Sequence, residues 1–172
     1  MRSPALLAAL VGGVAVLAPS FATAQVALLR QACLGTAMQQ DAYVEFAADR
    51  GWSRSIRIVV AGDPSIAQNW EHMFRDESTG IQSWMSGQNA ISRSDATSCG
   101  IADTDPAETW RQDMEALAVE LGMLPTTATP GEQAIEAGAW LRSGPDALSL
   151  SYDRYPSGVT VRLRRPVSPP GN

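Results

Sequence analysis

The chain has 172 residues, 45% of them apolar, and its 13 basic against 18 acidic side chains give a net charge of −5. Every basic side chain is an arginine, and the acidic balance argues against nucleic-acid binding, which needs a basic face for the phosphate backbone. The absence of lysine excludes a Walker phosphate loop, and His72 is the single histidine, so the general bases on offer are His72 and the carboxylates.

The first segment reads as a secretory signal peptide over residues 1–24. Arg2, an apolar run from Leu6 to Leu17, Pro19 and then Ala22-Thr23-Ala24 follow its order of charged start, apolar middle and small-residue cleavage site. Cleavage after Ala24 is expected, leaving a periplasmic or secreted chain from Gln25 with 12 arginines against 18 acids, net −6. The apolar run is about a dozen residues, short of the roughly 20 that span a bilayer, so no membrane insertion is expected after cleavage. A lipid anchor at Cys33 is disfavoured by Arg30-Gln31-Ala32 before it. Cys33 and Cys99 are the only thiols, with no Cys-x-x-Cys pair and too few histidines to complete a zinc site. In a disulfide-permissive compartment they are expected to bridge.

Val26 to Cys33 predicts a short helix ended by Gly35. Thr36 and Gln39 then form a capping box that opens a second helix to about Arg50. Gly51 stops it, and Trp52 is placed to fold back on Phe46 or Ala47. Ser55 to Ala61 predicts a strand. Asp63-Pro64 followed by Ile66, Trp70, Met73 and Phe74 predicts an amphipathic helix to about Arg75, with His72 near its polar side. Ile81 to Ser86 and Ala96 to Ala102 predict two strands around a Gly87-Gln88-Asn89 loop. Asp105, Pro106 and Glu108 start a further helix, whose stripe of Trp110, Met114, Leu117 and Leu121 ends at Gly122. Residues 125–131, rich in Thr and Pro, read as a loop.

From Gly138 the period changes to two. Ala139 to Arg142, Leu148 to Tyr152 and Val159 to Leu163 predict a three-stranded antiparallel meander. Leu148, Leu150, Tyr152, Val159, Val161 and Leu163 share one face, with Ser149, Ser151, Asp153, Thr160, Arg162 and Arg164 on the other. Pro166 to Asn172 is expected to be a disordered tail. The fold class expected over 25–165 is a single α+β domain. Three main helices pack on one face of an antiparallel sheet of about five strands, stapled by Cys33 and Cys99.

An exported chain with an N-terminal Cys33 helix, a Gly51-Trp52 pair after the second helix and Cys99 in a mid-chain strand resembles small secreted or periplasmic bacterial proteins. The resemblance covers most of the mature chain on few, short motifs. It implies the compartment and the disulfide, and no activity.

No Gly-x-Ser-x-Gly elbow, His-Glu-x-x-His pair or Gly-x-Gly-x-x-Gly loop is present, and Trp84-Met85-Ser86-Gly87 lacks the first glycine of an elbow. Acid pairs such as Asp103 with Asp105 and Asp113 with Glu120 read as helix-cap and wet-face carboxylates, so no metal or other cofactor is expected. His72 is the one candidate catalytic base. Residues 138–172 carry five arginines against Asp146 and Asp153. Arg142, Arg162 and Arg164 are the candidate binding face, with Arg154 nearby and Trp84, of opposite parity to Ile81 and Met85, as an aromatic anchor. Its expected partner is an acidic protein or an anionic envelope component. The function expected is that of an exported, non-catalytic accessory or binding protein. The alternatives are a small secreted hydrolase using His72 and a structural cell-envelope protein.

Overall fold

In the computed structural model, which describes residues 24–59, 68–89 and 96–165, helical segments precede a four-stranded meander twice. Helix α1 (Ala24–Leu29) runs into a π-helical turn over Arg30–Gly35, and α2 (Gln40–Asp49) follows. Strands β1 (Ser53–Val59), β2 (Gln68–Arg75), β3 (Gln82–Asn89) and β4 (Ala96–Asp103) form the first meander. Helix α3 (Trp110–Glu120) leads into β5 (Leu124–Thr126), β6 (Glu136–Arg142), β7 (Leu148–Tyr155) and β8 (Gly158–Arg164). One antiparallel sheet holds all eight in the order β1-β2-β3-β4-β8-β7-β6-β5, so the meanders meet where β4 pairs with β8.

The expectation of about five strands is therefore corrected to eight. The largest correction is the helix expected up to Arg75, because Gln68–Arg75 is strand β2, paired with β1 and β3. Trp70, His72 and Phe74 are buried while Glu71 and Met73 between them are half-buried, which is the period-two signature of a strand. Trp70, Met73 and Phe74 also fit a period of 3.6. Over so short a segment both periods are satisfied, and pairing on both sides decides. Asp63-Pro64 and Ile66 lie outside the described residues, as do residues 1–23 of the expected signal and the expected tail from Pro166.

Strand β5 falls in the segment read as a loop, and its Pro125 is tolerated because β5 is an edge strand that needs only one ladder of hydrogen bonds. Gly87-Gln88-Asn89, read as a loop, completes β3. Thr36 does not cap α2: its hydroxyl donates backward to the Ala32 carbonyl at 2.7 Å, and α2 starts four residues later at Gln40. Helix α3 starts at Trp110, five residues after the expected start at Asp105, with Thr109 at its N-cap, and Asp103 bonds elsewhere. Its carboxylate accepts from the Asp105 backbone N–H at 2.8 Å and from the Gln25 side-chain amide at 2.5 Å.

All the helices lie on one side of the sheet. Val26, Leu29, Ala32 and Cys33 recur at helical spacing and are buried. The disulfide Cys33–Cys99 ties the π-helical turn to the centre of the sheet, with both residues fully buried and Cα atoms 5.7 Å apart. On α2, the Tyr43 hydroxyl donates to Ser83 Oγ on β3 at 2.9 Å, and its ring meets Phe74 edge-on at 5.6 Å. Burial pushes the Tyr43 phenol well above its ordinary pKa, so it stays a neutral donor. Helix α3 buries Trp110, Met114 and Leu117 of the expected stripe together with Ala118, while Leu121 stands at its C-cap half-buried, and Trp110 is edge-on to Tyr152 at 4.7 Å. Arg30 at the start of the π-helical turn pairs with Glu120 at the end of α3 and holds its carboxyl below the usual range. Trp52 folds back on Phe46, with ring centroids 5.5 Å apart, and its backbone N–H donates to the Ala47 carbonyl at 3.0 Å.

The C-terminal meander has the expected register: Leu150 faces Leu163 and Tyr152 faces Val161 under the helices, while Ser149 faces Arg164 and Ser151 faces Arg162 on the reverse.

Closing a separation of 66 residues, the disulfide stabilises the fold by about 4 kcal/mol in the chain-entropy account. Replacing Cys99 by Ser should lower the melting temperature by about 10 °C in thermal unfolding. An unchanged transition would show that the bridge contributes nothing to the fold.

Candidate functional site

The side of the sheet away from the helices is built from outward-facing residues that follow the strand register. Across its middle run Met73 on β2, Trp84 on β3, Gly100 on β4, Arg162 on β8, Ser151 on β7 and Ala139 on β6. The next row places Glu71, Ser86, Ser98, Arg164, Ser149 and Leu141 in the same strands. Between β4 and β7 small side chains flank Arg162 and Arg164, with Trp84 beside them on β3.

Gly100 sets their arrangement. A Cβ there would sit 2.3 Å from Trp84 Cζ2 and 2.4 Å from the Val161 carbonyl oxygen, so no larger residue fits without moving backbone. The indole of Trp84 therefore lies over the bare backbone of β4 and reaches towards β8. There the guanidinium carbon of Arg162 is 5.9 Å from its ring centroid, within cation–π range.

Arg162 is half-buried, and among the described residues no carboxylate forms an ion pair with it. Burial, and then the like charge of Arg164, lower its pKa, with Asp153 and Tyr155 opposing. A guanidinium that is partly desolvated, with Asp153 acting on it only from beyond ion-pair distance, carries an electrostatic cost that a bound anion relieves. Ser151 beside Arg162, and Ser98 and Ser149 on either side of Arg164, add hydroxyls to the same surface.

Trp84, Arg162 and Arg164 are thus brought together, and Arg142 is not among them. Arg142 pairs with Leu148 and so has the parity of the helix-covered side, where Nη1 donates to the Leu121 carbonyl at the end of α3 at 3.0 Å and Nε to Asp146 O at 3.2 Å. Arg154 shares that parity and donates to the Tyr155 carbonyl. Trp140, buried against Tyr152 at 5.9 Å, belongs to the core.

His72 lies on β2 beneath α2 and is 4% exposed, not near a polar surface as a helix would have placed it. Its ring packs between Trp70 and Phe74, with centroids at 5.5 and 6.5 Å. Nδ1 is 2.9 Å from Arg54 Nη2, and Nε2 is 2.7 Å from the Gln40 amide. An arginine only donates, so Nδ1 accepts from Arg54. Ser83, the buried serine on the same face, is engaged by Tyr43 and by the Gly100 carbonyl.

Gly100 is the functional residue that sequence reasoning missed. Its signal was its place immediately after an inward-facing Cys99. Among the described residues no group of three His, Cys, Asp or Glu side chains gathers to hold a metal ion, and no helix is long and apolar enough to cross a membrane. Compared with family models, curated proteins and solved structures, the chain matches none.

Replacing Gly100 by Ala should lift Trp84 from the sheet, with a loss of about 1–3 kcal/mol of stability. The near-ultraviolet circular dichroism should change in the wild-type background and not in a Trp84→Phe background. Identical spectra and melting temperatures for Gly100→Ala and wild type would contradict this packing.

Proposed function

We propose that the protein is an exported binding protein that receives an anionic partner on the open face of its sheet. The observation that carries this reading is Arg162, half-buried beside Trp84 with no carboxylate partner among the described residues. Its planar fork matches a carboxylate or phosphate in a bidentate way, and such charge-assisted bonds contribute about 1.5–3 kcal/mol each. Arg164 adds a second cation on the same strand face, and although Asp153 shares that face, the two guanidiniums of β8 make a local attractor for anions on a net acidic chain.

Export is supported by the leader pattern of residues 1–24 and by the disulfide, which an oxidising compartment maintains. Gln25, the first residue after the proposed cleavage site, is buried, and its side-chain amide is bonded to Asp103. His72, enclosed by Gln40, Arg54, Trp70 and Phe74, favours a packing role over that of a hydrolytic base.

Poly-L-glutamate is a suitable probe. The double variant Arg162→Ser, Arg164→Ser should bind it at least tenfold more weakly and with a flatter dependence on salt, at unchanged melting temperature. Equal affinity and salt slope would return the arginines to a solvated sheet face. The intact mass of protein recovered from the periplasm or medium should correspond to residues 25–172, and retention of residues 1–24 would overturn the proposed location.

A further inference from the structure

We infer that the partner is an acidic protein segment with an aliphatic side chain close to its carboxylate, in preference to a carboxylated sugar polymer. The inference rests on the reading of the open face as an anion site and extends that site towards the β5 edge. The row through Arg164 continues across Ser149 on β7 to Leu141 on β6 and Leu124 on β5. Leu141 is 42% exposed and Leu124 74% exposed. Single exposed leucines are ordinary on a protein surface, but these two lie directly opposite each other in the sheet and form a joint apolar surface.

Strands are spaced by about 4.8 Å, so Leu141 lies about 10 Å and Leu124 about 14 Å from Arg164 along the row. Only the small Ser149 stands between, and a ligand crossing the strands meets a cation at one end of this span and apolar surface at the other. An extended peptide rises about 3.3 Å per residue with alternate side chains on one side, so residues i and i+4 face the sheet together about 13 Å apart. A glutamate over Arg164 thus places a leucine or valine four positions on against Leu141 and Leu124. A uronic-acid polymer repeats its carboxylates and hydroxyls along its length and has no aliphatic branch to cover the two leucines.

The test uses the mature chain and three probes: an acidic peptide with a leucine four residues from a central glutamate, the same peptide with serine in place of that leucine, and polygalacturonate. The leucine peptide should bind about tenfold more tightly than the serine peptide. In the variant Leu124→Ser, Leu141→Ser, whose replaced side chains are exposed and outside the core, the leucine peptide should fall to the affinity of the serine peptide. Equal binding of the two peptides to the wild type, or tighter binding of polygalacturonate than of the leucine peptide, would overturn the inference and leave the anion site standing. A lack of salt-dependent binding to all three probes would overturn the anion site itself, and this extension with it.

Discussion

Two adjacent residues of β4 point in opposite directions and set what each side of the sheet can do. Cys99 faces the helices and is bonded to Cys33, so the first helical segment is fixed to the middle of the sheet. Gly100 faces the other way and has no side chain, so Trp84 can lie across the strand towards Arg162. Because β4 is also the strand on which the two meanders meet, a disturbance there reaches both halves. The same device recurs on the helix-covered side, where Gly138 on β6 stands opposite Tyr152 and a Cβ would lie 2.3 Å from its ring. A glycine paired across strands with an aromatic recovers packing that the glycine alone would forfeit.

The two sides differ in how they treat polar groups. Under the helices several buried polar groups are paired, Tyr43 with Ser83, the Gln25 amide nitrogen with Asp103, and Tyr152 with Glu136 at 2.7 Å, while Trp70 Nε1 and Gln25 Oε1 have no hydrogen-bond partner among the described residues. Burial and then the Glu136 bond push the Tyr152 phenol up to about 12, so it donates as a neutral group. Such pairing is what an interior demands, since an orphaned buried group costs about 1–3 kcal/mol. On the open side Arg162 is held at intermediate burial against an aromatic ring, without a carboxylate among the described residues. The proposed anionic partner would supply charge that this half-buried guanidinium lacks at ion-pair distance.

Much of this arrangement is legible in the sequence where one period and its turn signals agree. Leu148 to Leu163 alternates cleanly between two turns, so the shared face of Ser149, Ser151, Arg162 and Arg164 follows from spacing alone. Gly51-Trp52 after α2 likewise specifies the contact with Phe46. Residues 70–74 defeat the same method, because Trp70, Met73 and Phe74 satisfy a helix as well as Trp70, His72 and Phe74 satisfy a strand, and partners distant in sequence choose between them. The burial of His72 beneath α2 follows from that choice. Arg142 was misjudged for a related reason: an arginine at a strand end reads as exposed, and only the position of the α3 C-terminus shows that it bonds the Leu121 carbonyl. Strand β5, three residues long with a proline at its centre, has too little pattern to stand out from a loop.

The central claim is that the open face around Trp84, Gly100 and Arg162 is where an anion binds. Its most direct test is a nuclear magnetic resonance titration of isotope-labelled protein with poly-L-glutamate, following the backbone amides and the tryptophan indole N–H groups. The account predicts that shifts concentrate on β4, β8 and the Trp84 indole, with α2 and His72 unmoved. Shifts centred instead on the helices, or on the surroundings of His72, would contradict it.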